Sequence, residues 1–391
     1  MAVTVANGLD ALGPSRTDAD HLTALVGRQL GRPVADTTIA VDPIAHEIGA
    51  IATGGLYRVS GQAVTDAGVL PWSMFVKRLH SARMWPLIDV IPEPLREHWI
   101  TEFPWRVEID YYRSRVADLL PTGLRLPAVY DIVEHDPDRA TIWMEDVAAD
   151  DGEWSIKRFA QAAHGLGVLA GRRPIDTDVV FGFAPGNREI GGALRHFAFG
   201  RVQRGFGAHL ADERIWATPA LAEQLSSSGA ADLRDVLASC LTQLPDWLDA
   251  MDALPQTYHH GDASPQNLLV PVDAPDTFVL IDPGFNTPQC VGFDLGQLLI
   301  GLVHLDRLDP DRLAEIYAAI VPAYVDGLLS TDFAATAADV AEGARLALLV
   351  RGLFTALPLE QLEQPDAAAL RDLVATRIRL THFLLGLTQT T

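Results

Sequence analysis

Three polar residues within one short stretch are of the types that move a phosphoryl group: Asp262, Asn267 and Asp282. Asp262 closes His260-Gly261-Asp262, Asn267 follows in the same segment, and Asp282 comes after an apolar run, in Ile281-Asp282-Pro283-Gly284. An aspartate can accept the proton of an attacking hydroxyl. An amide and a second carboxylate can hold magnesium, which neutralises a triphosphate and orients it for in-line transfer. Magnesium is a hard cation that prefers oxygen ligands, so Asn267 and Asp282 are the expected types.

The local pattern gives these residues a frame. Gly261 and Pro265 break regular structure, so 260–266 reads as a loop. Leu268-Leu269-Val270 is a short apolar strand, Asp273-Ala274-Pro275-Asp276 a turn signal, and Phe278-Val279-Leu280-Ile281 a second strand. Asn267 then stands at the entry of a hairpin and Asp282 at its exit, and the ends of paired strands lie close enough to share one ion. An isolated aspartate in a Gly/Pro loop is usually only a turn former. Three polar groups in register with a hairpin are a different matter.

His-Gly-Asp-x-x-x-x-Asn followed by Ile-Asp-x-Gly resembles the signature of aminoglycoside phosphotransferases and related small-molecule kinases, which are similar in fold to protein kinases. The resemblance implies a catalytic Asp262, a magnesium ion on Asn267 and Asp282, and ATP or GTP as phosphoryl donor. It also implies an α+β, bilobal fold. Residues 1–147 would form a nucleotide-binding lobe with a small antiparallel β-sheet and one key helix. Residues 148–391 would form a larger, mostly α-helical lobe for catalysis and acceptor binding. Pro283 stands where a bulky residue is frequent in that signature.

Upstream, strands are expected at Ala45–Ala52, Leu56–Ala63 and Ser73–Leu79, with Thr53-Gly54-Gly55 as the turn between the first two. Gly54 and Gly55 would let backbone amides approach a triphosphate. They equally suit any tight hairpin, and the full Gly-x-Gly-x-x-Gly is absent. In the third strand Phe75, Lys77 and Leu79 share one face. A lysine among apolar neighbours wants a partner, unless Val76 takes the core and Lys77 the solvent. The resemblance places Lys77 on the α- and β-phosphates and calls for a glutamate on the next helix. That helix opens at Phe103-Pro104-Trp105 and carries one stripe of Trp105, Ile109, Tyr112, Val116 and Leu119 before Pro121. Glu108 lies at the edge of the stripe and within reach of Lys77; Glu102, before the proline and outside this helix, ranks second.

Two more strands are expected near Ala128–Glu134 and Thr141–Met144, joined at Asp136-Pro137-Asp138. Glu145-Asp146-Val147 follows where the family has a hinge whose backbone pairs with the purine, so Glu145 and Val147 are assigned to the nucleotide; a plain linker fits the same residues. Ser155 caps a helix with Phe159, Ala163, Leu166 and Ala170 on one face, and His164 reads as a helix residue rather than a base. Asp18-Ala19-Asp20 starts a helix through Leu30, after a frayed arm over residues 1–20. Asp294 either braces the Asp262 loop, as in the family, or caps its own helix. Residues 80–100 and 172–255 carry no readable chemistry.

Bulk properties narrow the function. The chain has 391 residues, 48% of them hydrophobic, which excludes a mostly disordered protein and suggests two or more packed units. Its net charge of −21 argues against nucleic acid as a partner and favours a cationic acceptor, although acidity also serves solubility alone. Cys240 and Cys290 fit no metal spacing and read as reduced, buried thiols. No apolar run is long enough to cross a bilayer, and Met1–Asp20 lacks the basic start and apolar core of a secretory signal. The expectation is a cytoplasmic enzyme without membrane or nucleic-acid partners. Three readings stand: an aminoglycoside kinase, a metabolic kinase with a sugar, choline-like or other alcohol acceptor, and a catalytically silent nucleotide-binding protein.

Overall fold

The structure is a computed structural model that describes residues 8–46, 50–175, 189–363 and 370–389. The N-terminal part is built on a six-stranded antiparallel sheet. Its strands are β1 (Val34–Thr37), β2 (Ala40–Ile44), β3 (Thr53–Thr65), β4 (Gly68–His80), β6 (Val129–Asp136) and β7 (Arg139–Glu145); β5 (Leu124–Arg125) lies elsewhere. The strand order is β1-β3-β4-β7-β6, with β2 on the same edge of β3 as β1.

Alternation along β4 separates two buried faces. Met74 and Val76 face one side, where they pack with Leu22, Leu25 and Val26 of helix α1 (Ala19–Leu30). Asp18 caps that helix by accepting from the His21 amide, and Gly31 ends it in the left-handed conformation. Leu79 faces the other side and packs with Ile109, Ile142 and Met144.

The connection that follows β4 holds helix α2 (Glu93–Glu102) and then helix α3 (Val107–Arg113), which carries Ile109. The C-terminal part is mainly helical. Its principal helices are α4 (Ile156–Gly171), α5 (Gly192–Phe197), α6 (Leu233–Ala253), α7 (Asp294–His304), α8 (Leu313–Leu329), α9 (Ala337–Ala347) and α10 (Arg371–Gly386). They bury one large apolar cluster that includes Phe159, Leu166, Leu298, Leu348 and Tyr324. The α+β, two-lobed architecture is the one the motif resemblance implies. Among the described residues, no helix is long and apolar enough to cross a membrane. Both cysteines are free and buried.

Several boundaries differ from the sequence reading. The strand expected at Ala45–Ala52 is not found: the strand before β3 is β2, which ends at Ile44, and residues 51–52 form a turn, while residues 47–49 lie outside the described residues. Pro43 disguises β2 in the sequence, but an edge strand tolerates proline, and β2 pairs only with β3. Thr53-Gly54-Gly55 is not a hairpin turn. It begins β3, because β4 runs on to His80 and so pairs Leu79 with Thr53 and Arg78 with Gly55, across an irregularity in register.

The helix expected to run from Pro104 to Leu119 stops at Arg113. The Ser114 hydroxyl donates to the Tyr111 carbonyl and accepts from the Val116 amide, a local alternative to the helical ladder. Val116–Leu119 continue as a separate turn of 3-10 helix. Nor is the arm frayed throughout, since Leu9 and Leu12 are buried in the α1 cluster. Strand β3 begins at Thr53 rather than Leu56, β4 at Gly68 rather than Ser73, and α3 at Val107 rather than Pro104; the other expected elements, including the Ser155-capped helix α4, fall within a residue or two of their predicted places.

Candidate active site

The hairpin expected after Asn267 follows strand β8 (Gln256–Tyr258) and is present as β9 (Leu268–Leu269) and β10 (Phe278–Leu280) in antiparallel register, with β5 added parallel to β10. The Ile281 amide donates to the Asn267 carbonyl at 3.1 Å, so the two ends of the hairpin are fastened together where Asn267 and Asp282 emerge. Asp282 takes a left-handed backbone, φ 52°, which a non-glycine residue adopts at a cost.

Lys77 is the meeting point of the two lobes. Its Nζ lies 2.7 Å from Glu108 Oε2 on α3 and also bonds Asp282 Oδ1. Lys77 and Glu108 are both buried, whereas the Asp282 side chain is 48% exposed and so opens toward solvent. Burial pulls the Lys77 ammonium down, but Asp282 and Glu108 together outweigh it and hold the lysine above its ordinary range. Burial likewise pushes the Asp282 carboxyl up, and the Lys77 ammonium overrides it to keep the group below the usual carboxylate range. Glu108 is therefore the partner the sequence suggested; Glu102 ends α2 and makes no ion pair among the described residues.

The Asp262 loop is held from several sides. Asp294 Oδ1 accepts from the Gly261 amide at 2.8 Å and Oδ2 from the His260 amide at 3.1 Å. Of the two roles open to Asp294, bracing is the one it performs. Gly261 has φ 84°, and a Cβ there would lie 2.3 Å from the Phe285 backbone. Gly284 meets the same loop from the other side: its amide donates to the His260 carbonyl, and a Cβ on it would come within 2.9 Å of Asp262 Cβ. Asn267 Nδ2 donates to the Asp262 carbonyl at 2.9 Å and to Asp262 Oδ2 at 3.2 Å. That leaves Asn267 Oδ1 as the atom available to a cation. Burial pushes the Asp262 carboxyl above its ordinary value, opposed by Arg351 and His260.

Three residues of this site escaped the sequence reading. Arg351 donates to the Gly261 carbonyl at 2.7 Å and reaches 3.8 Å from Asp262 Oδ1. Arg173 is fully buried beneath the loops, donating to the His259 carbonyl at 3.1 Å and to Asn286 Oδ1 at 2.7 Å. Phe285 lies under the Arg351 guanidinium, 4.6 Å from it. The only sequence signal for Arg351 is a charge inside an apolar run, and Arg173, beside Arg172 just after α4, carries none.

The other predicted nucleotide residues lie apart from this cluster. Gly54 and Gly55 begin β3 alongside β4, where Gly55 pairs with Arg78, next to the Leu56–Lys77 pair. Glu145 ends β7, and its carboxylate is taken up by Arg125 at 2.6 and 2.7 Å and by the Ala128 amide at 3.0 Å. The Glu145 amide donates to the Ala128 carbonyl at 2.8 Å, so neither the side chain nor the N–H of Glu145 is left for a base. Val147 follows in the connection to α4. Asp146, between them, binds Arg58 and Ser73 through its side chain. His164 is exposed on α4, away from any catalytic contact.

Among the described residues no group of three or more His, Cys, Asp or Glu side chains could hold a metal. Asn267 and Asp282 offer two oxygen ligands, the pattern magnesium uses when substrate phosphates and water complete its shell.

No protein-family model matches the chain, and no curated protein matches it. Solved structures similar to it are aminoglycoside phosphotransferases and related small-molecule kinases. One is an aminoglycoside phosphotransferase from Alicyclobacillus acidocaldarius, 14% identical, covering 89% of this chain and 91% of that one, with a TM-score of 0.49. Another, from Streptomyces rimosus and solved with ADP and streptomycin, is 17% identical over 86% of this chain and 100% of that one, with a TM-score of 0.38. An amicoumacin kinase, with AMP-PNP, Ca2+ and Ami, is 12% identical over 88% of each chain, with a TM-score of 0.44.

Proposed function

We propose that this chain transfers the terminal phosphoryl group of a nucleoside triphosphate, ATP or GTP, to a hydroxyl of a small molecule. The observation that carries the reading is Lys77, buried between Glu108 and the half-exposed Asp282, with Asn267 fastened to both the Asp282 turn and the Asp262 carboxylate. In it, residues 1–147 form the nucleotide-binding lobe and 148–391 the catalytic and acceptor lobe.

Asp262 accepts the proton of the acceptor hydroxyl and orients its oxygen. Lys77 binds the α- and β-phosphates, with Glu108 holding its ammonium in place. Gly54 and Gly55 lie at the edge of the phosphate site, and the backbone carbonyl of Glu145 and the backbone of Val147 pair with the base. Asn267 Oδ1 and Asp282 hold magnesium, which when bound neutralises phosphate charge. Positioning and fixed charge supply most of the rate gain in such a site.

Two acceptor classes fit this chemistry. The motif resemblance favours an aminoglycoside or related aminosugar, and the chain's net charge of −21 attracts such a cation. A specific observation favours the second class, a sugar, choline-like or other alcohol. Two carboxylates of the acidic run that would greet a polycation are already paired, Asp150 with Arg158 at 2.9 Å and Glu153 with Arg312, and the Arg307 guanidinium stands beside Asp151 on its backbone carbonyl. The intact Lys77, Glu108, Asp262, Asn267 and Asp282 set weighs against a silent protein.

The test is mass spectrometry of a panel of aminoglycosides, sugars and amino alcohols after incubation with Mg·ATP or Mg·GTP. A mass gain of one phosphoryl group, lost in Asp262→Asn, is expected. Equal product from wild type and Asp262→Asn would remove Asp262 from the base role.

A further inference from the structure

Arg351 lies 90 residues beyond Gly261 in the chain, yet its side chain ends at the Asp262 loop. Helix α9 passes directly into a turn of π-helix at Leu348–Gly352. Such turns interrupt the helical repeat and recur at functional sites. This one delivers a guanidinium into an otherwise apolar wall. The guanidinium stacks on two rings, 4.6 Å from the Phe285 centroid and 5.3 Å from the Phe293 centroid. One nitrogen is fixed on the Gly261 carbonyl at 2.7 Å, and the other faces Asp262 Oδ1 at 3.8 Å.

A buried cation is costly unless paired and hydrogen-bonded. The polar partners of the Arg351 guanidinium are the carbonyl that precedes Asp262 and the Asp262 carboxylate itself. Asn267 grips the opposite oxygen, Oδ2. The carboxylate is thus held between an amide on one oxygen and a guanidinium on the other.

We infer that Arg351 is a positioning residue for Asp262, fixing the loop through the Gly261 carbonyl and drawing Oδ1 toward its charge so that the carboxylate keeps one orientation. The inference rests on the reading of Asp262 as the base. Arg351 acts through Asp262 and is not itself a catalytic residue.

The charged groups that face Asp262 are His260 from its own loop, Asp282 from the hairpin end, Asp294 from α7 and Arg351 from the segment after α9. Asp282 and Asp294 push its carboxyl up, as burial does, and Arg351 is the foremost group that draws it down.

The test is crystal structures and kinetics of wild type, Arg351→Gln and Arg351→Lys. The Asp262 carboxylate is expected in one orientation, on the Asn267 amide, in wild type and in Arg351→Lys, and in more than one orientation in Arg351→Gln. Turnover in Arg351→Gln should fall by about 10-fold or more through misplacement of the carboxylate, with KM for the nucleotide unchanged, and Arg351→Lys should recover most of the loss. Thermal stabilisation by Mg·ATP should be the same in all three proteins. An Asp262 orientation unchanged in folded Arg351→Gln overturns the inference, and so does disorder in Arg351→Lys as large as in Arg351→Gln. The structures need no turnover. A wild type that phosphorylates nothing would count against the proposed function while the orientation of Asp262 still decides the role of Arg351.

Discussion

Lys77 and Asp282, 205 residues apart in the chain, share an ion pair that joins the small-lobe sheet to the end of the large-lobe hairpin. The same ammonium holds Glu108 from α3, so one buried charge links three elements: β4, α3 and the β10 exit.

Replacing Lys77 by Met should be costly twice over. Glu108 would be left buried without its cation, a change expected to destabilise the fold by about 3–5 kcal/mol, and turnover should fall by at least ~100-fold through lost phosphate positioning. Adding Glu108→Gln to Lys77→Met should recover much of the stability and none of the activity. Urea unfolding and steady-state kinetics on the single and double variants separate the two effects.

Asp262→Asn is expected to make the nucleotide-free protein more stable at neutral pH. Burial raises the Asp262 carboxyl in the folded state. A carboxyl raised on folding contributes stability that is present below its unfolded value and is lost as pH rises through the folded value. At pH 7 the ionised form therefore weighs against folding, and the neutral amide removes that burden. Thermal unfolding at pH 5 and pH 8 should show a gain over wild type that is larger at pH 8.

Asp294 has the opposite sign. Burial pushes its carboxyl up, but His259, His260 and the Gly261 amide outweigh it and hold the group below its usual range. Its contribution is complete above the unfolded value, near pH 3.9 for an aspartate, and is lost as pH falls through the folded value. Wild type should lose stability on acidification below about pH 4, and Asp294→Asn should show a smaller part of that loss. Asp294→Ala should cost about 1–3 kcal/mol at pH 7, because the His260 and Gly261 amides lose their acceptor.

Gly261→Ala should destabilise by about 2 kcal/mol or more, since φ 84° is unfavourable for alanine and the new Cβ would meet the Phe285 backbone at 2.3 Å. Gly68→Ala is the control for backbone strain alone: Gly68 has φ 103° with open space around it. Chemical denaturation of both variants should give the larger loss at Gly261.

Much of this site is legible in sequence because its residues are tied to short-range patterns. Asn267 and Asp282 bracket a hairpin of two short apolar runs, and Lys77 and Glu108 are called for by the motif resemblance, with strand alternation and a helical stripe narrowing their places. What was not legible depends on packing between distant segments. Arg351 sits in an apolar run where no spacing announces its target, and the π-helical turn that aims it has no period to read. Strand β2 was missed because Pro43 is a strand breaker everywhere except at an edge, and being an edge is a tertiary property. Gly54 and Gly55 looked like a turn because an adjacent glycine pair suits one, whereas the register that lays Gly55 against Arg78 is a cross-strand property. The Ser114 break in the α3 region is a side-chain hydrogen bond competing with a backbone one, a local choice that an apolar stripe does not encode.

The most direct measurement is thermal unfolding of wild type and Asp282→Asn with and without Mg·ATP and Mg·GTP. At about 100 times its dissociation constant, a nucleotide that binds the folded state should add roughly 2.7 kcal/mol of stability. The predicted result is a magnesium-dependent rise in wild type with at least one nucleotide, largely lost in Asp282→Asn. No rise with either nucleotide, or the same rise in both proteins, would contradict a metal–nucleotide site built on Asp282.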